Sequence, residues 1–320
     1  MTDLAPTDHP KSDPPEMDHR RLLAGLSDDT RRRLTALSDR RGALATASHW
    51  GALALTGILI AAQIPGWWAL MLPHGVLLIF LFTLLHETSH RTVFASVSAN
   101  TVVGMACGFL LLIPPLWFRY FHLAHHRHTH DPEKDPELVS SKPDTVGQYI
   151  WHVSGVPVWS GQIRTFAELV SGRADAEYLP PNARMRIVSE ARLMATAYAT
   201  LFIGSVVLAT PILLWLWVVP ALLGQPVLRL YLLAEHGRCP HVANMFANTR
   251  TTFTNRVIRW LAWNMPYHAE HHAYPAVPFH RLPDFHEITK AHLLETEQGY
   301  ARFNKSYLAA ITTGEGVSST

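Results

Sequence analysis

Two long stretches of the chain carry no Asp, Glu, Lys or Arg, and each can hold two membrane-spanning helices. The first lies between Arg41 and His86, and the second lies between Arg192 and Arg229. A helix needs about 20 predominantly apolar residues to cross the hydrocarbon core of a bilayer. Each stretch therefore predicts a helical hairpin. The four spans are expected at about 43–64, 67–85, 193–210 and 212–233.

Prolines mark the expected interruptions of these hairpins. The first hairpin is predicted to turn at Pro65-Gly66 and the second near Pro211. Pro220 and Pro226 fall in the returning leg of the second hairpin, where a proline removes a backbone donor and kinks or interrupts a helix.

The composition and the distribution of positive charge agree with a membrane protein. Of the 320 residues, 48% are hydrophobic and 16% are charged, whereas an ordinary soluble domain has roughly 25% charged residues. Lys and Arg concentrate before the first hairpin at 31–41, after it at Arg91 and Arg119, and before the second at 184–192. By the positive-inside rule, these regions and both termini face the cytoplasm.

The ends of the chain are expected to lie outside a single folded domain. Residues 1–20 are rich in Pro, Asp and Thr, which predicts a disordered tail. Residues 311–320 are expected to form a C-terminal tail. The domain at 21–310 would combine the four spans with a cytoplasmic cap made of residues 86–190 and 235–310.

Three clusters of histidines lie at the edges of the apolar segments. They comprise His86 and His90, then His122, His125 and His126, and finally His268, His271 and His272. Spacings of three and four residues put side chains on one face of a helix, so each cluster can present several imidazole nitrogens to one region. Eight such histidines predict more than one metal ion. Imidazole favours iron, zinc, copper or nickel, whereas magnesium and calcium prefer oxygen ligands.

An uncharged segment at 92–118 separates the first histidine cluster from the second and is long enough to cross the bilayer. A single crossing would place the two clusters on opposite sides of the membrane. We therefore predict an interfacial or re-entrant segment, broken at Gly104, Gly108 and Pro114-Pro115.

Carboxylates within or beside the clusters are expected to orient the histidines, because a ligating imidazole usually donates its other ring N–H to such a group. The candidates are Glu87, Glu235, Glu270, Asp131 and Asp135. His128 and His130 follow the second cluster, and we expect both to be solvated or supporting residues. Cys107 and Cys239 are too few for a disulfide framework or a four-cysteine iron site.

Three other functions fit parts of the pattern. His86, Glu87 and His90 form H-E-x-x-H, the motif of zinc proteases, but a catalytic zinc takes three protein ligands and would leave at least five clustered histidines unused. A metal transporter would need polar residues within its spans, and the predicted spans of this chain are nearly free of them. A haem protein would need paired histidines in facing spans, and only His49 and His74 are available.

The boxes HxxxH, HxxHH and HxxHH, divided by two apolar hairpins, resemble the membrane-bound fatty acid desaturase and hydroxylase superfamily over about residues 45–290. The strings HETSH, HHRHTHDPEKDPE, LAEHG and HAEHH, the last followed by Tyr274-Pro275, most resemble the branch that contains sphingolipid desaturases and bacterial relatives. The resemblance implies two iron ions, O2 as co-substrate and an external electron donor of the ferredoxin, rubredoxin or cytochrome b5 type. We accordingly expect a location in a bacterial inner membrane.

The same resemblance implies a ninth ligand beyond the three boxes. It falls on His236, which follows Glu235 at the end of the second hairpin. Some stearoyl desaturases have an Asn four positions earlier, where this chain has Leu232. The implied ligand set is His86, His90, His122, His125, His126, His236, His268, His271 and His272.

Together these observations predict an all-α integral membrane protein with four transmembrane helices in two hairpins and a cytoplasmic helical cap that carries a histidine-rich di-metal site. The expected activity is O2-dependent desaturation of an acyl chain or another lipid-like substrate. The alternative is a hydroxylase or monooxygenase of the same superfamily, acting on a lipid or a small amphiphilic metabolite. The expected partners are the membrane, the substrate and the electron donor, and no nucleic acid.

Overall fold

The computed structural model describes residues 17–314, and it is mostly helical, as predicted. Most of the two predicted tails falls outside the described residues. Residues 17–314 contain sixteen α-helices: α1 His19–Gly25, α2 Asp28–Leu34, α3 Asp39–Ala61, α4 Met71–Ile79, α5 Leu81–His90, α6 Val97–Leu111, α7 Pro115–His128, α8 Val146–Val153, α9 Val156–Val170, α10 Pro181–Val207, α11 Val219–His236, α12 Met245–Asn248, α13 Arg256–Leu261, α14 His268–Ala273, α15 Leu282–Thr289 and α16 Tyr300–Thr313.

Two short strands are the exception to the helical fold. β1 (Thr251–Thr252) and β2 (Thr296–Glu297) pair in parallel. They tie the chain that precedes α13 to the chain that precedes α16, and both lie in the predicted cap.

Among residues 17–314, three helical segments are long and apolar enough to cross a bilayer. They are Asp28–Ala61, Trp67–His90 and Leu214–His236. They overlap the predicted spans at 43–64, 67–85 and 212–233, which is consistent with a membrane protein.

The remaining predicted span, 193–210, coincides with the C-terminal half of α10. The uncharged part of α10 begins after Arg192 and ends with the helix at Val207. This part is therefore shorter than the roughly 20 residues of an ordinary span. Its side chains are nevertheless directed outwards, since Phe202 is 69% and Val207 is 75% exposed. An outward apolar surface of this kind is suited to contact with lipid.

The first hairpin turns where the sequence predicts. The side chain of Ser38 accepts a hydrogen bond from the N–H of Arg41 and so caps the start of α3. Gly66 has φ +79°, a conformation that glycine adopts at little cost. A 3-10 turn at Trp67–Leu70 then leads into α4 and α5, and α5 continues through the first histidine box to His90.

The second hairpin differs from the prediction at one proline. A π-helical turn at Leu214–Val218 precedes Pro220, which lies in the first turn of α11, where its missing N–H removes no helical hydrogen bond. Pro226, by contrast, lies inside α11 and does not interrupt the helix, which runs on to His236.

The uncharged segment at 92–118 is bent, as predicted for a re-entrant or broken element. α6 and α7 meet at an angle of 96°. The bend lies beside Pro114-Pro115, at one of the predicted positions. The predicted breaks at Gly104 and Gly108 are wrong, because both residues lie inside the continuous helix α6.

The closest packing between membrane helices occurs where α4 crosses α11. A Cβ atom on Gly75 would overlap the carbonyl oxygen of Pro220, and one on Gly224 would overlap that of Gly75. Small residues let helix backbones approach in a membrane, where packing contacts drive association. The crossing therefore fixes α11 against the helix pair that carries the first histidine box.

Substituting Gly224 by Ala should destabilise the protein, because its Cβ cannot fit without a shift of the α4 backbone. We expect a loss of about 1–3 kcal/mol, as for other overpacked sites. The measurement is thermal unfolding in detergent, followed by the reaction of a thiol dye with the buried Cys107 and Cys239. The matched control is Gly204→Ala on α10, where no heavy atom lies within 4 Å of an added Cβ. Equal midpoints for the two variants would contradict the close crossing.

Candidate metal centre

Four helices bring the nine predicted ligands into one region. α5 ends with the first box, the second box lies near the end of α7, α11 ends at His236, and α14 carries the third box. Eight of the nine side chains are buried and His90 is half-buried. The C-terminal ends of two candidate membrane spans therefore contribute directly to the site.

The histidines separate into two groups, within each of which one nitrogen from every ring lies within 4.8 Å of the others. The five-histidine group contains His86, His90, His122, His126 and His271. The three-histidine group contains His125, His236 and His272. The two groups adjoin, because the stacked rings of His126 and His272 have centroids 4.0 Å apart.

The paired histidines of the second and third boxes explain this division. Residues four apart, such as His122 and His126, share a face of a helix, whereas adjacent residues project in directions about 100° apart. His125 and His126 therefore enter different groups, and so do His271 and His272. The pairs His125-His126 and His271-His272 thus each contribute one imidazole to the five-histidine group and one to the three-histidine group.

Ring nitrogens within each group lie close together, and in the three-histidine group they have the separation expected of ligands that share an ion. His90 Nε2 lies 2.8 Å from His122 Nε2 in the five-histidine group. His125 Nε2 lies 3.3 Å from His236 Nε2 in the three-histidine group. Two nitrogens that each lie about 2.1 Å from one ion would be separated by about 3.0–3.4 Å.

His268 lies beside the three-histidine group. Its Nε2 is 3.2 Å from His236 Nε2 and 3.6 Å from Glu235 Oε2. It can therefore complete that side of the site as a fourth imidazole.

Several imidazole nitrogens are buried without a hydrogen-bond partner. Both ring nitrogens of His86, His126 and His271 are buried without a partner, and so is Nε2 of His272. A buried polar atom without a partner costs roughly 1–3 kcal/mol, so a folded protein retains such a cluster only for a reason. Burial and the neighbouring imidazoles hold the pKa of His271 and His272 well below the usual value. Neutral imidazoles with free lone pairs fit a transition-metal site.

The three-histidine group is oriented by hydrogen bonds from the outside, because each Nδ1 has a partner. His125 Nδ1 lies 2.9 Å from Asp135 Oδ1, and His272 Nδ1 lies 3.2 Å from the Thr129 hydroxyl. His236 Nδ1 is directed at the carbonyl oxygen of Asn248 at 3.4 Å. These contacts leave each Nε2 free to face a metal ion.

Asp135 is the one predicted carboxylate that holds a cluster histidine by a short hydrogen bond. It also accepts the backbone N–H groups of His130 and Glu137, at 2.9 and 3.0 Å. Burial alone would raise the pKa of Asp135, but the hydrogen bonds from His125 and the backbone outweigh burial and lower the pKa. The carboxylate is therefore ionised at neutral pH and fixes the ring orientation of His125.

Glu235 Oε2 lies 3.6 Å from His268 Nε2, and the remaining three predicted carboxylates have other hydrogen-bond partners. Glu87 Oε1 accepts the N–H of Phe279 at 2.8 Å. Glu270 binds the hydroxyl of Thr251 and Nδ1 of His286, so it anchors α14 to β1 and α15. Asp131 lies in a surface turn.

Some contacting residues were not singled out by sequence. His286 lies outside the three histidine clusters of the sequence, yet it anchors Glu270. Thr129 and Asn248 contact cluster histidines, although only Thr129 lies in a motif, the run that contains the second box. His130 is buried and its Nδ1 contacts the carbonyl of Pro240 at 3.2 Å, while the carbonyl of His128 accepts the N–H of Asp131 at 2.7 Å.

His49 and His74 have no ring nitrogen available for haem. Each nitrogen of both rings has a hydrogen-bond partner, and the partners come from neighbouring helices and from Trp263. These residues are therefore satisfied histidines of the helix bundle.

Arg250 holds the end of α11 that presents His236. Its guanidinium donates to the carbonyl oxygens of Ala234 and Gly237, both at 2.8 Å, and its backbone N–H donates to the carbonyl of Glu235 at 2.9 Å. The last carbonyls of a helix lack partners within the helix. A buried cation at this point both satisfies them and opposes the negative end of the helix dipole.

Comparison with known proteins agrees with the histidine pattern. A profile of the family described as fatty acid desaturase matches residues 61–304. The chain is 27% identical over 287 residues to dihydrorhizobitoxine desaturase of Bradyrhizobium elkanii, covering 83% of this chain and 78% of that protein. It is also 27% identical over 257 residues to sphingolipid delta(4)-desaturase of Drosophila melanogaster, covering 75% and 73%.

Replacing Arg250 by Gln should loosen the end of α11. The variant loses charged hydrogen bonds in a buried position, so we expect the free energy of unfolding to fall by about 2 kcal/mol or more. Thermal unfolding in detergent, followed by tryptophan fluorescence, measures this loss. Arg302→Gln is the control, since the Arg302 side chain is 68% exposed and pairs with Glu297 at the surface. If both variants unfold at the wild-type temperature, the hydrogen bonds of Arg250 do not stabilise the end of α11.

Proposed function

The chain belongs to the fatty acid desaturase family and is a desaturase-like oxidoreductase, and from this premise we propose that it uses two iron ions and O2 to desaturate an acyl chain or another lipid-like substrate. The observation that carries the proposal is the division of eight of the nine converging imidazoles into two adjoining groups, with His268 beside the second group. Neutral nitrogen ligands suit iron. The irons would supply the activation of O2 that removal of hydrogen from an unactivated C–H bond requires.

We assign the ligands according to the two groups. One iron would be held by members of the five-histidine group, which belong to α5, α7 and α14. The second would be held by the three-histidine group and His268. The unpartnered ring nitrogens of His86, His126 and His271 support this assignment, because a bound metal satisfies them.

The protein's own contribution is to orient the ligands and to keep water out. Asp135, Thr129 and the carbonyl of Asn248 fix the rings of the three-histidine group. Burial of the imidazoles surrounds the site with protein, and exclusion of water protects reactive species from side reactions.

The names of the two relatives favour desaturation over hydroxylation. One is named for dihydrorhizobitoxine and the other for a sphingolipid. We therefore propose a lipid-like or amphiphilic substrate, and keep hydroxylation of such a molecule as the alternative product. The donor of electrons is proposed to be a separate ferredoxin, rubredoxin or cytochrome b5.

The proposed topology has four spans and a metal centre on the cytoplasmic side of a bacterial inner membrane. Arg and Lys before the first span, at 31–41, and before the third, at 184–192, support this orientation. The outward apolar side chains of α10 support its use as the third span.

The zinc protease interpretation has less support. A general base for peptide hydrolysis must reach the metal-bound water. Glu87 is fully buried and one of its oxygens is occupied by the N–H of Phe279. His86 and His90 also share their group with three other histidines, whereas a zinc protease site would use only one more protein ligand.

His271→Ala should remove iron and activity together, because His271 is a member of the five-histidine group with no other function for its ring nitrogens. Iron per chain is measured by elemental mass spectrometry after purification in detergent and anaerobic loading. His292→Ala is the control, because His292 lies outside both groups. About two irons in the wild type are expected. A wild type that retains one zinc and no iron, or a His271→Ala variant that keeps full iron, would refute the assignment.

Asp135→Asn should weaken iron binding without unfolding the protein. The amide keeps the shape of the side chain but loses the charge that orients His125, and changes of this kind typically reduce metal affinity 10–100-fold. Competition with a chelator measures the affinity, and the spectrum of the bound iron reports the altered ligand. Asp131→Asn, in the surface turn nearby, should match the wild type. Unchanged affinity in Asp135→Asn would show that the hydrogen bond to His125 does not orient a ligand.

A further inference from the structure

A cavity lies between the start of α3 and the region around α13. Its volume is about 370 Å³, which is within the usual range of small-molecule sites. Charged and aromatic residues line it together with Ala45 of α3. They are Arg256, Arg259, Trp260, Trp263 and Phe279.

The cavity carries positive charge without a compensating carboxylate, because its lining contains two arginines and no Asp or Glu. Arg256 is exposed and makes no hydrogen bond or ion pair within residues 17–314. Arg259 donates one N–H to the hydroxyl of Tyr267 at 2.8 Å, while its Nε is buried without a partner. Both guanidinium groups therefore retain donors for a ligand.

The remaining wall is aromatic and fixed in place. The indole N–H of Trp260 donates to Ser48 at 2.8 Å, and that of Trp263 donates to His49 at 3.1 Å. Because these polar atoms are already satisfied, the two rings can offer only apolar surface to a ligand. The cavity thus combines a cationic part with an apolar part.

The cavity lies at the same end of the helix bundle as the histidines. Gly42, one helical turn before the cavity-lining part of α3, packs against Val93 and Phe94 immediately after the first box. The backbone N–H of Phe279 in the cavity wall is bonded to Glu87, inside that box. One wall of the cavity is therefore joined to the first box by a direct hydrogen bond.

We propose that this cavity binds the anionic head of an amphiphilic substrate, a carboxylate or a phosphate, with the adjoining apolar part against Trp260 and Trp263. A guanidinium matches the geometry of both anions and can bind either through two parallel hydrogen bonds. Trp260 and Trp263 contact Ser48 and His49 of α3, and tryptophan favours the bilayer interface from which an amphiphilic molecule would enter. The proposal rests on the proposed function, since it names the class of substrate that the metal centre receives.

The test is direct binding of radiolabelled laurate to the full chain, purified in an uncharged detergent and measured by scintillation proximity. Dodecyl phosphate, dodecyltrimethylammonium and inorganic phosphate serve as competitors, and vesicles of phosphatidylglycerol provide a membrane-lipid arm. The variants are Arg256→Gln, Arg256→Lys and the double variant Arg256→Gln with Arg259→Gln. Arg164→Gln, an exposed arginine on α9 without a partner within residues 17–314, is the matched control.

We expect laurate and dodecyl phosphate to compete and the cationic amphiphile to fail. The double variant should bind laurate at least tenfold more weakly, which corresponds to about 1.4 kcal/mol. Arg256→Gln should show a smaller loss and Arg256→Lys a partial recovery, while Arg164→Gln binds normally. Arg256 makes no contact on which folding depends, so its single variant keeps the test valid if the double variant is unstable.

Three results would overturn the proposal. They are laurate binding that is unaffected in both arginine variants, equal competition by dodecyltrimethylammonium, and competition by inorganic phosphate or phosphatidylglycerol vesicles that equals dodecyl phosphate. Binding needs neither iron nor an electron donor, so the two proposals fail separately. A protein that binds laurate through Arg256 but takes up no iron retains the cavity site and loses the di-iron assignment of the metal centre.

Discussion

The structure depends on the burial of nine imidazoles in one place. Each ring that leaves water must find a partner for its nitrogens or lose the free energy of hydration, and in the five-histidine group most rings find none among the described residues. A metal ion satisfies several nitrogens at once, so its binding free energy is also free energy of folding. The hydrogen bonds of Arg250 and the close packing of Gly75 against Gly224 both fix α11, the helix that ends at His236, and so oppose the cost of the unpartnered cluster.

The two groups reach this arrangement in different ways. In the three-histidine group, Asp135, Thr129 and a backbone carbonyl each hold an Nδ1, so the rings are oriented before an ion binds. His86, His126 and His271 of the other group have no such partner, and packing alone places them. An ion in the three-histidine group meets prearranged ligands, whereas an ion in the five-histidine group relies on the number of imidazoles around it.

The features that depend on local spacing could be predicted from the sequence, and those that depend on tertiary contact could not. Charge-free stretches located three helices of membrane length, and the i, i+3 and i, i+4 spacings located the histidine boxes. His236 followed only from family resemblance, since a lone histidine after a span has no periodic signal. Thr129 contacts His272, which is more than a hundred positions away, and Arg250 contacts Ala234, which is sixteen positions away. No local sequence pattern reveals contacts over such separations. Pro226 continues its helix because packing against α4 outweighs the lost hydrogen bond.

The candidate spans Trp67–His90 and Leu214–His236 run from the apolar region into the histidine cluster. Each carries a proposed ligand at its C-terminal end. In the proposed topology, a bilayer thinner or thicker than the apolar length of these helices would change their tilt, and a tilt of a few degrees over the length of a span would displace His90 and His236 by a distance comparable to a metal–ligand bond. The thickness of the surrounding membrane would then alter the coordination geometry of the proposed iron centre.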